Sequence, residues 1–376
     1  MAALFRSHRF QSLTLLGALA LSLFAAAGLD SLRRKTPPRH LQLTQGSLSR
    51  SPLILASPEL STRQRSELRS LCDLSRAADE LNLSYCFHLL LLFGPNVEAR
   101  QDEQAIPLLQ AILDPPSTAP FLGAPALQFT DFGMRFKPPL EAVGESHLNQ
   151  GIAVLAQLGI SLDCQVAAGG HRGCVCDILS DCMVNFDRHQ PDGSWALVAF
   201  AIYLNENPRW VNRLGDTCDL EAIVNDTLSL TWEGESCGGA HRLAALTYYL
   251  LGVRAHRLQC SAATERRLTE FLRDIFLTIT AAQADDGSIA EDWHNQNRAT
   301  DSTGRLTKPV ATFETTSHIA EWLTHLPGDI QDDSTVRKRA ISWLIPTLDR
   351  LGTAEMRKCI CPVTHALKAI AWQEHQ

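Results

Sequence analysis

From Arg63 onward the chain alternates two kinds of helical segment, and this alternation constrains the fold more than any other feature. One kind is amphipathic. In 263–282, Leu268, Phe271, Leu272, Ile275, Phe276 and Ile279 recur at helical spacing with Arg and Glu between them, and Val336, Ala340, Ile341, Leu344, Ile345, Leu348 and Leu351 do the same in 336–351. Segments 64–82, 103–113, 174–186 and 219–230 carry the pattern more weakly. The other kind is apolar nearly all round: 87–93, 152–158, 196–204 and 243–251, with 319–326 and 366–372 shorter and less pure. A helix apolar on every face must be buried on every face.

The residues that open the apolar segments give the period. His147, Ser194 and His241 follow one another at 47 residues, His318 comes 77 later, and His365 a further 47. The long interval holds 292–308, a polar stretch that reads as an inserted loop, and a Pro-rich loop over 114–140 joins the first hairpin to the second. Gly94, Gly159 and Gly252 stand where helices would end. Turn-bounded alternating runs are absent, which disfavours an α/β fold. The expected fold is all-α: an (α/α)6 toroid of about six helical hairpins over 63–376, an inner ring of buried helices sheathed by an outer one.

Ahead of this domain, Arg6 and Arg9 precede an uncharged stretch, 10–29, followed by Asp30, Arg33, Arg34 and Lys35. Its apolar heart, 13–29, falls between a signal-peptide core and a spanning helix in length. Residues 1–35 are expected to form an N-terminal hydrophobic helix that anchors the chain in a membrane in a single pass, with the domain outside the cytoplasm. A signal peptide cleaved near Ala25-Ala26-Ala27, giving a secreted protein, is the alternative. Residues 36–62, with Pro37, Pro38, Pro52 and Pro58, read as a linker. A net charge of −7 without a basic cluster in the domain beyond Arg337-Lys338-Arg339 argues against a nucleic-acid partner. Eleven cysteines in an exported domain imply some disulfides and at least one unpaired thiol.

Two short motifs carry a resemblance. Gln190-Pro191-Asp192-Gly193-Ser194-Trp195 and the run Gln283 to Ile289, which reads Gln-Ala-Asp-Asp-Gly-Ser-Ile, resemble the Gln…Asp-Gly-Ser-Trp turns of the terpenoid cyclase and protein prenyltransferase superfamily. The resemblance covers 60–376 as architecture and only these turns as motif, so it implies the toroid rather than an activity. The superfamily's Asp-x-Asp-Asp acid motif is absent. Asp285-Asp286 and Asp332-Asp333 are pairs at turns, where capping is their expected use.

Histidines mark the candidate site. His88, His147, His241, His318 and His365 fall in or at the start of apolar segments, and parallel inner helices would bring the last four to one rim. Helix amino termini there would favour neutral imidazole and attract anions. Glu145, Glu235 and Glu314 precede three of these segments, and Glu145 and Glu314 are the candidate acid or base partners. The expected catalytic set is therefore His147, His241, His318, His365, Glu145 and Glu314. Cys237 and Cys361 each stand four residues before a His, at 241 and 365, a spacing that puts thiolate and imidazole on one helical face.

Members of the resembled superfamily, prenyltransferases and lanthionine cyclases, hold zinc at the barrel mouth, which would make Cys237, His241, Cys361 and His365 zinc ligands here. Their Cys-His-Gly triplet is missing, and the two Cys-His pairs belong to the fourth and sixth hairpins, a separation that does not by itself bring them to one ion. Either cysteine is also a candidate nucleophile. Trp195, Trp293 and Trp322 are candidate pocket linings. These residues point to an envelope enzyme acting on a lipid, peptide or carbohydrate, with a non-catalytic binding or scaffold module using the same concave surface as the alternative.

Overall fold

The computed structural model describes residues 60–376 apart from 77–80, 102–103, 115–121, 142, 191–192, 233–234, 296–308, 332–333 and 374–376. The expected N-terminal hydrophobic helix and most of the linker lie outside the described residues. Helix dominates. The helices are α1 Thr62–Ser70, α2 Leu83–Phe93, α3 Leu108–Leu113, α4 Gln150–Gln157, α5 Val175–Asn185, α6 Gly193–Tyr203, α7 Leu220–Ser229, α8 Ala240–Arg254, α9 Ala262–Ala282, α10 Pro309–His325, α11 Thr335–Arg350, α12 Thr353–Lys358 and α13 Ile360–Gln373.

Local signals start and stop them. Ser61 accepts the Gln64 N–H at 3.1 Å while the Gln64 side chain accepts the Ser61 N–H at 2.7 Å, a reciprocal cap for α1. Asn82, Asp219 and Ser261 cap α2, α7 and α9 through their side-chain oxygens. Gly94, at φ 87°, ends α2.

The helices sort by burial as their sequences require. In α2 every residue from Leu83 to Leu92 is buried, and α6 and α8 are buried on nearly all faces. By contrast α9 buries one stripe, Thr264, Leu268, Leu272, Ile275, Phe276 and Ile279. Each fully buried Leu or Phe contributes roughly 1.5–3 kcal/mol, so helices like α2 and α6 are held by neighbours rather than by their own propensity. Those neighbours are one another: α2 packs on α4, α4 on α6, α6 on α8, α8 on α10, α10 on α13, and α13 back on α2. The amphipathic α7, α9 and α11 lie against α6, α8 and α10, each covering its apolar partner.

Three expectations need correcting. Strands are present: four antiparallel hairpins pair Glu98–Gln101 with Gln104–Pro107, Leu127–Thr130 with Gly133–Phe136, Gln165–Ala168 with His171–Cys174, and Trp210–Val211 with Thr217–Cys218. Strands of four residues or fewer are too short for their alternation to stand out. The third hairpin was nonetheless signalled by Gly169-Gly170, whose φ values of 56° and 84° make the two-residue turn. The 114–140 segment is accordingly not a plain loop, because the 127–136 hairpin lies in it and packs on α5. Finally, α10 and α13 begin well before the apolar runs at 319 and 366, because Thr312, Phe313, Thr315 and Thr316, and Val363 and Thr364, are buried as well.

The Gln283–Ile289 motif is a structural clamp. Gln283 Nε2 donates to the Gly287 carbonyl (3.0 Å) and to the Val336 carbonyl on α11 (2.9 Å). Asp286 Oδ1 accepts the Ser288 N–H and hydroxyl, and Thr316 on α10 exchanges hydrogen bonds with both the N–H and the carbonyl of Ile289. The motif thus ties an outer helix to the inner one that follows. Gly287 has φ +95°, and a Cβ there would stand 2.3 Å from the Arg339 carbonyl oxygen. Gly287→Ala is expected to destabilise the fold by roughly 2–4 kcal/mol in urea unfolding, from left-handed strain plus a backbone clash. A loss under about 0.5 kcal/mol would show that the turn does not clamp α11.

Candidate functional site

A strained turn presents the first cysteine. Cys237, Gly238 and Gly239 lie consecutively in the left-handed region, at φ 52°, 62° and 76°. A Cβ on Gly238 would meet Thr315, and one on Gly239 would meet the Trp232 ring, so both glycines are needed for close approach. Trp293, buried, donates its indole N–H to the Gly238 carbonyl at 2.9 Å. Arg242, fully buried, lies 4.3 Å over the Trp232 ring and donates to the carbonyls of Leu230 and Thr231. A non-glycine residue in this conformation stores strain, which the surrounding bonds hold in place.

The turn packs on α10, and so does α13. Cys237 and Cys361 therefore meet across α10 despite their distance along the chain. The ligand atoms of Cys237, Glu314 and Cys361 lie within 4.8 Å of one another, as do those of Cys237, His241 and His318, and those of His88, Cys361 and His365. The Cys237 thiol donates to Glu314 Oε1 at 3.1 Å, and Cys361 Sγ is 3.4 Å from His318 Nε2. The two Cys-His pairs thus belong to one cluster.

The imidazoles converge as well, by a different route from the one expected. His241 is at the centre, its ring centroid 5.3 Å from His147, 5.0 Å from His318 and 6.2 Å from His365; His318 and His365 are 3.8 Å apart, and His88 is 5.9 Å from His365. Only His241 stands in the first turn of its helix. His147 precedes α4, while His318 and His365 lie inside α10 and α13. The helix-terminus field invoked for the whole set therefore does not reach His318, whose own helix starts more than two turns earlier.

Ring nitrogens are oriented pairwise. His88 and His318 each donate Nδ1–H to the carbonyl one turn back, Ser84 and Glu314, both at 2.7 Å, which turns Nε2 toward the cluster. His365 Nδ1 bonds to Glu321 Oε2, and its Nε2 is buried without a partner, as are both nitrogens of His241. Burial, reinforced by His318 and His147, holds His241 far below the usual imidazole range, so it is neutral. Burial also opposes charge on His365, but the Glu321 carboxylate and Cys361 outweigh it and raise its pKa. The two thiols divide one charge. The Cys237 S–H hydrogen bond holds Cys361 well below the usual thiol range, with His318 and His88 adding to it against the cost of burial. That same sharing, with burial and the Glu314 carboxylate, pushes Cys237 up.

Sequence reasoning missed Glu321 and Lys368. Glu321 is buried, and it is held far below the ordinary carboxylate range: burial would raise it, and Lys368, His365 and His325 overcome that. Lys368 Nζ bonds to Glu321 Oε1. The signal was the impurity of 319–326 and 366–372: a charged residue inside an otherwise buried run needs a partner. Glu314 lies in the cluster, its Oε1 accepting the Cys237 thiol. Glu145 is turned instead to the start of α4, where its carboxyl accepts the N–H groups of Asn149 (2.6 Å) and Gly151 (2.8 Å). Trp195 and Trp322 line a cavity of about 40 Å³ beneath the cluster, together with His241, His318, Tyr248 and Glu321. That volume admits a few waters and no chain-like ligand. Elsewhere Cys174 and Cys176 are joined as a disulfide, and the other nine cysteines are free.

Compared with known proteins, the chain matches no family model, no curated protein and no solved structure. Among the described residues, no helix is long and apolar enough to cross a membrane.

Burial pushes the Glu145 carboxyl up to about 8, with the Gly151 and Asn149 N–H groups pulling against it. From about pH 4.5 to 8 the folded chain keeps a proton there that the unfolded chain has lost. This group's contribution to stability therefore falls as pH rises, by at most about 1.4 kcal/mol per unit. Glu145→Gln, whose amide has one acceptor oxygen where the carboxyl has two, is expected to lower the urea midpoint more near pH 5 than near pH 8. An equal deficit at both pH values would show an ionised cap instead.

Proposed function

We propose that this chain is an α/α-toroid metalloenzyme whose zinc centre sits at the mouth of its inner helices. One observation carries the reading: half-buried Cys237 and Cys361, from segments far apart in the chain, converge with buried His318 and His241 in a single cluster. The closed order of inner-helix neighbours, from α2 round to α13 and back, supports the toroid, and the clamp at Gln283–Ile289 supports the kinship its sequence implies.

The donor set fits zinc. Tetrahedral zinc holds sulfur at about 2.3 Å and nitrogen at about 2.0–2.1 Å, so its ligand atoms stand roughly 3.3–3.8 Å apart. The 3.4 Å between Cys361 Sγ and His318 Nε2 falls in that range. Neutral His241 carries one ring lone pair, on a buried nitrogen without a partner, that a cation would satisfy. Cys237, Cys361 and His318 would hold the ion, with His241 beside them. Bound zinc would supply a Lewis acid able to polarise a carbonyl or activate a water or thiol nucleophile.

The chain's own residues would do the rest. Glu314, one hydrogen bond from Cys237, can hold or release a proton at its carboxylate, and His147 and His241, both against Trp195, wall the approach. The substrate is small and polar. The 40 Å³ cavity excludes a lipid tail, whereas a groove of about 370 Å³ is lined by Arg188, Asp226 and Glu235 and by Ser194 and Ser236, chain neighbours of Trp195 and Cys237. A peptide or carbohydrate therefore suits the site better than a lipid. The apolar stretch at 13–29 would tether the domain at the membrane, on its outer side.

A non-catalytic module is the second reading, favoured by His241: a fourth protein donor would close the coordination shell and leave a structural site. Metal analysis of the full-length chain tests both. Stoichiometric zinc, lost in Cys361→Ser, is expected. No bound metal, with melting unchanged by chelator, would end the proposal. In cobalt-substituted protein, a spectrum that shifts on adding a small thiol identifies the open, catalytic centre, and one that does not identifies the closed one.

A further inference from the structure

The cluster holds more donors than one ion can use. Cys237, His241 and His318 bring their ligand atoms within 4.8 Å of one another, Cys361 Sγ stands 3.4 Å from His318 Nε2, and His88 and His365 form a further three-donor group with Cys361. We propose that Cys361 is a bridging thiolate and that His88, His365 and Cys361 form a second metal site beside the first. This rests on the zinc reading above and deepens it from one ion to two.

Orientation carries the argument. His88 comes from α2 and His365 from α13, which pack on each other, so the pair is fixed by the inner helices and not by a loop. Each ring has its Nδ1 occupied, His88 by the Ser84 carbonyl and His365 by the Glu321 carboxylate. Nε2 is therefore the available nitrogen on both, and that of His365 is buried with no partner. A carboxylate behind a histidine is the arrangement that orients a ligating imidazole and raises its basicity. Glu321 is itself fixed by Lys368 and His325, a support that a filler histidine does not need.

Cys361 Sγ is also 3.4 Å from His318 Nε2, so the sulfur is common to both donor groups. Thiolate sulfur has lone pairs for two ions, and paired metal sites stand about 3.5–4 Å apart. With three protein donors the second site has room for an exogenous ligand, whereas the first is closed if His241 binds.

Zinc stoichiometry of the full-length chain decides it. The protein is purified in reductant, stripped, and titrated with zinc against a competing chelator, and folding is checked by circular dichroism. The wild type is expected to bind about two equivalents. His88→Ala and the gentler His88→Gln should each bind about one, Cys361→Ser should lose tight binding of both, and Glu321→Gln should weaken only the second step, by about 10–100-fold. Loading with cobalt gives an independent readout: as the second equivalent binds, magnetic coupling through the sulfur should lower the resonance signal per ion.

One equivalent in the wild type, or unchanged stoichiometry in folded His88→Gln, would overturn the second site and leave the single-ion reading standing. No zinc at all would overturn both.

Discussion

The inner helices have no polar face, and everything else in this molecule follows from that constraint. A helix such as α6, with Trp195, Ala196, Leu197, Val198, Ala199, Phe200 and Ala201 all buried, cannot rest on a surface. It needs apolar neighbours on every side, and the most available neighbours are the other inner helices. Once each packs on the next, the last meets the first, and residues near corresponding levels of different helices come face to face. That is how His88, His241, His318 and His365 share one space although they span most of the domain.

The same constraint makes the polar residues on these helices costly. A buried donor or acceptor without a partner costs about 1–3 kcal/mol, more when charged. Most inner polar groups avoid that cost locally: Thr364 donates to Ile360, Ser317 to Phe313, and the Trp322 indole to Thr247. The mouth behaves differently. His241 keeps both nitrogens unpartnered, His365 keeps one, and Cys237 is held in a strained backbone conformation by two glycines, Trp293 and Arg242. Unpartnered imidazole nitrogens and backbone strain side by side are the combination expected where a fold is specialised.

Much of this was legible before any coordinates. The 47-residue period rests on helical hairpins of near-constant length, and pattern reasoning reads length and polarity well. It reads termini poorly. The apolar run that begins at 319 sets His318 at a helix start, yet α10 starts at Pro309: buried threonines look polar in sequence although their hydroxyls bond to the backbone inside the core, as Thr316 does to Ile289. Glu145 was paired with the histidines because it precedes one of them, but position in the chain does not tell which way a side chain turns, and this one turns to the N–H groups of Asn149 and Gly151. The meeting of Cys237 with Cys361 depends on α10 standing between α8 and α13, a tertiary fact with no local signature.

Charge arrangement decides what the mouth favours. Glu321 sits between Lys368, His325 and His365, so its charge is neutralised within the core, and the positive side of that network faces Cys361. Cys361, favoured as a thiolate by the Cys237 S–H, His318 and His88, stands in a partly buried site, where an effective dielectric of about 20 leaves charge pairs several times stronger than in bulk water. Glu314 brings a second carboxylate against Cys237. Two sulfurs, a carboxylate and four imidazoles, of which His241 is neutral, make a site rich in donors. A divalent cation balances such a site in charge and in coordination at once, whereas an anionic or purely apolar ligand balances neither. Near Cys237 in the chain, a groove lined by Arg188, Asp226 and Glu235 is more polar than the small cavity that Trp195, Tyr248 and Trp322 line with the histidines.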